Sequence, residues 1–379
     1  MKRVILIPDS FKGTMESAEI CAIMAEQIHR HFPRAETVSI PVADGGEGSV
    51  DAFLQAMGGE KVRCRTQNPF GEELDSFYGL VDQGQTAVIE MAASAGLPLV
   101  EDRLDPLRAS TYGVGQLMLD AARRGVKKLI MGLGGSATND GGCGAACAAG
   151  VRFLDAAGNT FVPTGGTLKD IARIDMTGLD KSLQDMEIVT MCDIDNPLYG
   201  PTGAAHVFGP QKGATPAVAE ELDKGLLHLC QVMQRDTGKD VSALPGGGAA
   251  GGMGAGMAVF FDSALQMGIE TVLDTVRFDR LLQGADMVFT GEGKIDGQSL
   301  RGKVVIGVAR RARQANVPVV AIVGDIGDHV EPAYDEGVSA IFSINRVAVE
   351  YRQARPRAKS DLALTMDNLM RFLSRMEMA

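Results

Sequence analysis

The sequence predicts an α/β fold in two domains, because strand-like and helix-like segments alternate and the chain is too long for one core. Short apolar runs such as residues 4–7 are followed by polar loops and then by segments with helical periodicity, such as residues 17–31. Repeated strand–loop–helix units predict a parallel sheet whose loops open at the carboxyl ends of the strands. At 379 residues the chain exceeds the size at which one hydrophobic core usually keeps growing.

Apolar periodicity and turn residues place the individual elements along the chain. Pro33 ends the first helix, and Asn68-Pro69 marks a turn between strands. The predicted strands cover residues 4–7, 37–40, 61–66, 74–80, 86–91, 128–131, 151–154, 187–191, 286–290, 317–323 and 337–342. The predicted helices cover residues 17–31, 49–57, 110–124, 142–150, 216–234, 302–315 and 360–376.

The middle of the chain differs in pattern from its two ends. Strands follow one another without helices over residues 61–91, which predicts antiparallel pairing, whereas both ends alternate strand and helix. We therefore predict a discontinuous Rossmann- or flavodoxin-like parallel-sheet domain from residues 1–60 and 285–379. A mixed α/β domain, residues 61–284, is inserted into it. The active site is expected in the cleft, because domain clefts are common ligand sites.

Composition excludes several classes of protein. The net charge of −11 argues against a general nucleic-acid binder, which needs lysine and arginine to neutralise backbone phosphates. The apolar run after the basic start is too short for a signal peptide, and the uncharged stretch 241–261 is too rich in glycine for a membrane span. We expect a cytoplasmic soluble protein that binds neither nucleic acid nor membrane.

Residues 129–142 form the most informative motif, Leu-Ile-Met-Gly-Leu-Gly-Gly-Ser-Ala-Thr-Asn-Asp-Gly-Gly. A short strand runs into a glycine-rich loop that is followed by an alanine-rich helical pattern. Glycines let backbone N–H groups approach a ligand, and the start of a helix favours an anion. The motif predicts a phosphate-binding loop. A tight turn between strand and helix explains the glycines equally well.

Two nucleotide-binding motifs compete with this interpretation. Gly132 to Ala137 fits the G-x-G-x-x-A dinucleotide fingerprint, and Asp155 lies about 20 residues further on. However, the loop continues to Gly142 and delays the helix that the fingerprint requires. Residues 297–303 match the P-loop spacing, but Val304 stands where a serine or threonine would bind Mg²⁺.

Acidic residues recur where predicted strands end. They are Asp9, Asp44 with Glu47, Asp193 with Asp195, and Glu292 with Asp296. A single such carboxylate commonly caps a helix or stabilises a turn. Several together are typical of a site where Mg²⁺ binds one or two carboxylates and substrate phosphate oxygens. Lys12 and Lys294 lie in the same kind of loop and could bind a phosphate or carboxylate.

Taken together, six spaced motifs closely resemble the type I glycerate kinase family. They are Asp9-Ser10-Phe11-Lys12-Gly13, Ala43-Asp44-Gly45-Gly46-Glu47-Gly48, the 132–142 loop, Cys192-Asp193-Ile194-Asp195-Asn196-Pro197-Leu198, residues 246–256, and Gly291-Glu292-Gly293-Lys294-Ile295-Asp296. The resemblance implies two α/β domains and ATP-dependent phosphorylation of D-glycerate. In bacterial members the 2-hydroxyl is phosphorylated, giving 2-phosphoglycerate in glucarate, galactarate or glyoxylate breakdown. Lys294 differs from the family motif, which has arginine, and keeps the charge without a bidentate grip.

With this resemblance, each motif receives an expected role. The two glycine loops would hold nucleotide phosphates, with Gly134, Gly135, Ser136, Thr138, Asn139, Gly247, Gly248 and Gly251 as candidates. The catalytic candidates are Asp193 and Lys12. Asp193, Asp195 and Glu292 are the candidates for binding Mg²⁺. The substrate-binding candidates are Asp9, Ser10, Lys12, Asp44, Glu47 and Lys294.

ATP and Mg²⁺ are therefore the expected cofactors of a monomer or homodimer. Two alternatives stay open on the sequence. One is an NAD(P)-dependent oxidoreductase that uses the Gly132 to Ala137 fingerprint, and the other is a non-catalytic sensor of small anions.

Overall fold

The computed structural model describes residues 1–43, 45–297, 299 and 302–376. The chain divides into two compact units. We call Met1–Ala43 with Ile269–Ala379 the terminal unit, and Asp44–Gly268 the middle unit. Each unit contains parallel strands and helices, so the predicted α/β class is confirmed.

The elements follow the alternation seen in the sequence. The strands are β1 Arg3–Pro8, β2 Glu36–Ser39, β3 Glu60–Gln67, β4 Glu73–Val81, β5 Thr86–Glu90, β6 Lys128–Gly132, β7 Arg152–Leu154, β8 Thr160–Phe161, β9 Arg173–Asp175, β10 Glu187–Met191, β11 Ala264–Gln266, β12 Met287–Gly291, β13 Lys294–Ile295, β14 Val319–Val323, β15 Asp325–Ile326 and β16 Val338–Ser343. The helices are α1 Ser17–His31, α2 Ser49–Met57, α3 Ala92–Ala95, α4 Tyr112–Arg123, α5 Cys143–Ala148, α6 Lys181–Gln184, α7 Ala204–Phe208, α8 Pro216–Thr237, α9 Ala249–Phe260, α10 Gly268–Thr275, α11 Phe278–Leu281, α12 Val304–Gln314, α13 Pro332–Asp335, α14 Tyr351–Ala354 and α15 Ala358–Met376.

The terminal unit is built on a parallel sheet with the strand order β16-β14-β12-β1-β2. Val4 and Leu6 point into a core shared with α1 and α15, while the alternating residues Ile5 and Ile7 are fully buried as well. Strands buried on both faces are typical of parallel sheets covered by helices. This arrangement brings the loops after β1 and β12 to the same edge.

The middle unit is built on a mixed sheet with the order β11-β10-β6-β5-β4-β3. The predicted antiparallel pairing of β3, β4 and β5 is present, but β5 pairs with β6 in parallel. These three strands therefore form one side of a larger sheet. β7, β8 and β9 form a separate antiparallel sheet.

The borders of the two units lie elsewhere than the expected positions after residue 60 and before residue 285. α2 packs against β4 and β5 of the middle unit, so its residues group with that unit. Arg311 of α12 forms ion pairs with Glu270 and Asp274 of α10, which holds this helix in the terminal unit. Over the described ranges, we find no helix with the length and apolar character needed to cross a membrane.

Candidate active site

The middle unit contains a cavity at the ends of two neighbouring parallel strands. β6 and β10 lie side by side, with Gly132 opposite Met191, so the segments that follow them leave the same edge of the sheet. The cavity has a volume of about 250 Å³. Its lining includes Gly134, Gly135, Ser136, Asp193, Lys212 and Ala250. The structure thus brings the glycine loop and one predicted catalytic carboxylate together.

The glycine loop after β6 is held by backbone hydrogen bonds on both sides of Gly135. Gly134 donates its N–H to the carbonyl oxygen of Gly45 at 2.9 Å, and Leu97 donates to the carbonyl of Gly135 at 2.8 Å. Gly135 has a φ of +74°, a left-handed conformation that glycine adopts without strain. Within the described part of the chain, the N–H groups of Gly135 and Ser136 have no acceptor. These two amides can therefore bind a ligand in the cavity.

The start of the helix after this loop is not available to an anion, which corrects the sequence expectation. Asp140 is fully buried, and its carboxylate accepts the N–H groups of Gly142 and Gly144, both at 3.2 Å. The same carboxylate accepts the N–H of Thr111 at 2.7 Å and its hydroxyl at 2.9 Å. An internal carboxylate therefore occupies the positive helix end that a phosphate would need. Burial raises the pKa of Asp140 above its ordinary value.

Thr138 and Asn139 lie between the cavity loop and Asp140. Both residues are completely buried. Thr138 Oγ1 and both amide atoms of Asn139 have no hydrogen-bond partner in the described structure. Unpaired buried polar atoms are unfavourable, and they often mark a bound water or ligand. Both residues remain candidates for the nucleotide site.

The second glycine loop serves mainly for close backbone packing. A Cβ on Gly248 would lie 2.2 Å from the carbonyl oxygen of Pro197, and one on Gly251 would lie 2.0 Å from that of Thr138. The Gly247 N–H donates to Leu244 O and the Gly248 N–H to Asn196 O, both at 3.0 Å. The expectation that these two amides bind phosphate is therefore not supported by their hydrogen bonds.

The second loop nevertheless contributes to the cavity through its strained start. Ala250, Gly251 and Gly252 have φ values of +54°, +67° and +92°, so the first turn of α9 is not helical. A left-handed alanine is unfavourable and persists only where the surroundings enforce it. Ala250 lines the cavity directly.

Lys212 is the residue of this site that sequence reasoning missed. Its side chain is 1% exposed, and Nζ donates to Ser136 Oγ at 2.7 Å and to the Thr138 carbonyl at 2.6 Å. Burial lowers the pKa of Lys212 to about 7. The signal for it in the sequence is only its place in a short Gly-Pro-Gln-Lys-Gly turn, residues 209–213.

The acidic candidates of the middle unit differ in their position relative to the cavity. Asp193 lines the cavity, and its Oδ1 accepts the N–H of Gly268 at 2.7 Å. Asp195 is exposed and does not contribute to the cavity lining, although it lies only two residues away. Glu47 is exposed near the glycine loop, with Oε1 3.3 Å from the position that a Cβ on Gly135 would take. Asp44 lies outside the described residues.

The terminal unit brings its own predicted residues together at one sheet edge. β1 and β12 are adjacent and parallel, with Pro8 opposite Gly291, so Asp9 and Glu292 follow neighbouring strand ends. Asp9 Oδ1 accepts the N–H of Ser10 at 2.7 Å. Lys12 is exposed in the same loop, and Lys294 Nζ lies 4.0 Å from Asp296 Oδ2. Both acidic and basic candidates therefore lie in the loops that follow these two strands.

Glu292 is the buried carboxylate of that edge. It is 6% exposed, and its Oε1 has no partner within the described ranges. Burial raises the pKa of Glu292 to about 7, and the charges of Asp9 and Asp296 act in the same direction. No group of three His, Cys, Asp or Glu side chains that could hold a metal ion occurs in the described part of the chain. The P-loop-like segment includes residues 298, 300 and 301, which lie outside the described residues.

The dinucleotide alternative is not supported by the structure. Asp155 lies in an exposed turn, where its Oδ1 accepts the N–H groups of Ala157 at 2.8 Å and Asn159 at 2.9 Å. The strand before it, β7, belongs to the small antiparallel sheet and does not lie beside β6. A dinucleotide fold requires that second strand parallel to the first.

Comparisons with known proteins identify the class. The model of the glycerate kinase family matches residues 4–374, so the chain belongs to the glycerate kinase family. A glycerate kinase from Halalkalibacterium halodurans is 46% identical over 345 residues, covering 91% of each chain. A glycerate 2-kinase from Escherichia coli is 42% identical over 343 residues, covering 90% of each chain.

A solved structure agrees with these sequence relatives. A crystal structure of a protein from Salmonella typhimurium LT2, described as a candidate glycerate kinase 2, matches with a TM-score of 0.88 and 40% identity over 100% of both chains. The predicted family is thereby confirmed. The expected enzyme class, a phosphotransferase with an alcohol group as acceptor, is confirmed with it.

Proposed function

We propose that the protein transfers the γ-phosphoryl group of ATP to D-glycerate at the 2-hydroxyl, giving 2-phosphoglycerate. The relative from Escherichia coli is named a glycerate 2-kinase, and the likeness covers 90% of each chain. The observation that carries the proposal is the cavity, which is lined by a carboxylate, a buried lysine and two residues whose amides have no acceptor among the described residues. Phosphoryl transfer needs these groups to position and neutralise the phosphates.

In the proposed reaction, the substrate hydroxyl oxygen attacks the γ-phosphorus while the bond to the β–γ bridging oxygen breaks and ADP leaves. Asp193 accepts the hydroxyl proton and is the favoured carboxylate for Mg²⁺, because it alone of the predicted pair lines the cavity. One carboxylate with phosphate oxygens and waters is a usual ligand set for Mg²⁺, which neutralises phosphate charge when bound. Asp195 and Glu292 remain weaker metal candidates.

The remaining candidates are assigned to the acid substrate. Lys12 and Ser10 are proposed to bind its carboxylate or the γ-phosphate, and Asp9 Oδ1 holds the Ser10 backbone by accepting its N–H at 2.7 Å. Glu47 and Asp44 are proposed to orient the glycerate hydroxyls, and Lys294 to add positive charge. We propose a cytoplasmic enzyme, a monomer or homodimer, that uses pools of ATP and Mg²⁺.

A coupled assay for ADP, run with ATP, Mg²⁺ and D- or L-glycerate, tests the activity. We expect ADP to form with D-glycerate, and ³¹P spectra of the product to show the resonance of 2-phosphoglycerate. Absence of ADP formation with D-glycerate would refute the activity. The signal of 3-phosphoglycerate would refute the proposed position of phosphorylation alone.

A further inference from the structure

The ammonium group of Lys212 is buried without a carboxylate beside it. Two of its three N–H donors are used, and both acceptors are neutral: Ser136 Oγ at 2.7 Å and the Thr138 carbonyl at 2.6 Å. Among the described residues, no Asp or Glu oxygen forms an ion pair with Nζ. Buried charges in proteins are normally paired, so an anion bound beside Nζ would stabilise the protonated form of this lysine.

The nearest influential acid cannot supply that anion. Asp140 acts on Lys212 only through space, and its oxygens already accept hydrogen bonds from Thr111, Gly142 and Gly144. The remaining side of Lys212 faces the cavity, where the amides of Gly135 and Ser136 are also unpaired within the described structure. Three donors from two segments therefore belong to residues that line one cavity.

The size and chemistry of this space indicate the ligand class. A volume of about 250 Å³ is at the small end of ligand pockets, which suits a phosphate chain better than a whole nucleotide. Lysine and backbone amides are the common phosphate-binding groups in proteins. Asp193 at the cavity wall would repel a bare anion, but it can hold a cation that bridges to phosphate.

We propose that Lys212 binds the polyphosphate chain of the phosphoryl donor in this cavity, and that Ser136 and the Thr138 carbonyl position its ammonium group. This inference rests on the proposed function and assigns the phosphate-binding cation of that site. Because burial lowers the pKa of Lys212 to about 7, a bound phosphate would favour the protonated amine, and Lys212 would take up a proton from solvent on binding.

The test compares Lys212→Gln with Lys224→Gln, an exposed lysine of α8 paired with Glu220. Glutamine keeps an N–H donor for Ser136 or Thr138 but removes the charge. Thermal unfolding of the purified full chain is followed with magnesium tripolyphosphate, MgATP and D-glycerate in separate titrations. We expect Lys212→Gln to bind tripolyphosphate and ATP roughly 10- to 100-fold more weakly, with D-glycerate binding unchanged. Lys224→Gln is expected to match the wild type.

Ser136→Ala provides a second variant if Lys212→Gln fails to fold. It keeps the ammonium group and removes one anchor, so we expect the KM for ATP to rise while the KM for D-glycerate stays constant. Wild-type affinity for tripolyphosphate in folded Lys212→Gln would overturn the inference. Selective loss of D-glycerate binding would overturn it as well, since the carboxylate would then be the anion.

Failure of the proposed function gives a different result. If the wild type binds tripolyphosphate through Lys212 but forms no ADP with D-glycerate, the phosphate site stands and the substrate assignment falls. If ADP forms normally in both Lys212→Gln and Ser136→Ala, the activity stands and the role of Lys212 falls.

Discussion

In each unit a buried titratable side chain lies in or against a loop that follows a parallel strand, and the two side chains have opposite charges when ionised. The middle unit buries the cation Lys212, and burial lowers its pKa to about 7. The terminal unit buries the carboxylate Glu292, and burial raises its pKa to about 7. Loss of water disfavours the charged form of either group, so burial lowers the pKa of the lysine and raises the pKa of the glutamate. Such shifts are concentrated at functional sites, where the pKa of a group is matched to its chemical task.

The cavity of the middle unit is most sensitive to its carboxylate. We expect Asp193→Asn to lower kcat roughly 10²- to 10⁴-fold, because the asparagine cannot accept the hydroxyl proton and binds Mg²⁺ less well. The fold remains, since the amide oxygen can still accept the Gly268 N–H that Asp193 accepts at 2.7 Å. Steady-state kinetics measures the fall in kcat, and thermal unfolding tests whether the fold is kept. Asp195→Asn is the matched control, and an equal loss in both variants would argue against the distinction drawn from the cavity lining.

The basic loop of the terminal unit is expected to matter less for the chemical step. Lys12→Ala removes a positive charge proposed to bind the substrate carboxylate or the γ-phosphate, so kcat/KM for D-glycerate is expected to fall roughly 10- to 100-fold. Initial rates over a range of D-glycerate concentrations give this value. The exposed Lys127→Ala is the control, and unchanged kinetics for Lys12→Ala would show that Lys12 is only a surface charge.

Glu292 connects the comparison to pH. Its pKa is raised from 4.5 to about 7, so the folded chain binds a proton that the unfolded chain releases between these values. The free energy of unfolding therefore falls as pH rises through this window, by on the order of 2 kcal/mol. We expect Glu292→Gln, without divalent cations, to unfold a few degrees above the wild type at pH 8 and at the same temperature near pH 4.5.

Scanning calorimetry of Glu292→Gln at both pH values measures the difference, with the exposed Glu350→Gln as control. We expect the more stable Glu292→Gln to be less active if the carboxylate serves the reaction. If the difference in unfolding temperature between Glu292→Gln and the wild type is the same at both pH values, ionisation of Glu292 is not its cause.

The smallest effect is expected far from both buried charges. Asp155→Asn changes an exposed turn, so kinase activity is expected to stay within about twofold of the wild type. NADH is expected to leave the unfolding temperature of the wild type unchanged, whereas MgATP raises it. A rise with NADH that Asp155→Asn abolishes would restore the dinucleotide interpretation.

Local patterns in the chain predicted much of the fold. The helix Ser17–His31 and the strand Glu187–Met191 have the predicted bounds, because apolar periodicity directly reflects which face is buried. The small antiparallel sheet was foreseen only in part. β8 has two residues, too few for a periodic signal. The sequence of β7 does not indicate that this strand pairs with β8 and β9 and not with β6.

For the site, the sequence by itself determined which loops carry glycines, carboxylates and lysines, and which family they belong to. Only the tertiary structure decided which of those groups are available. Asp140 fills the helix start, the Gly248 N–H is used by Asn196, and Lys212 reaches Ser136 across 76 residues of chain. Turn and strand signals depend on near neighbours, whereas burial and hydrogen-bond partners depend on residues that only folding brings together.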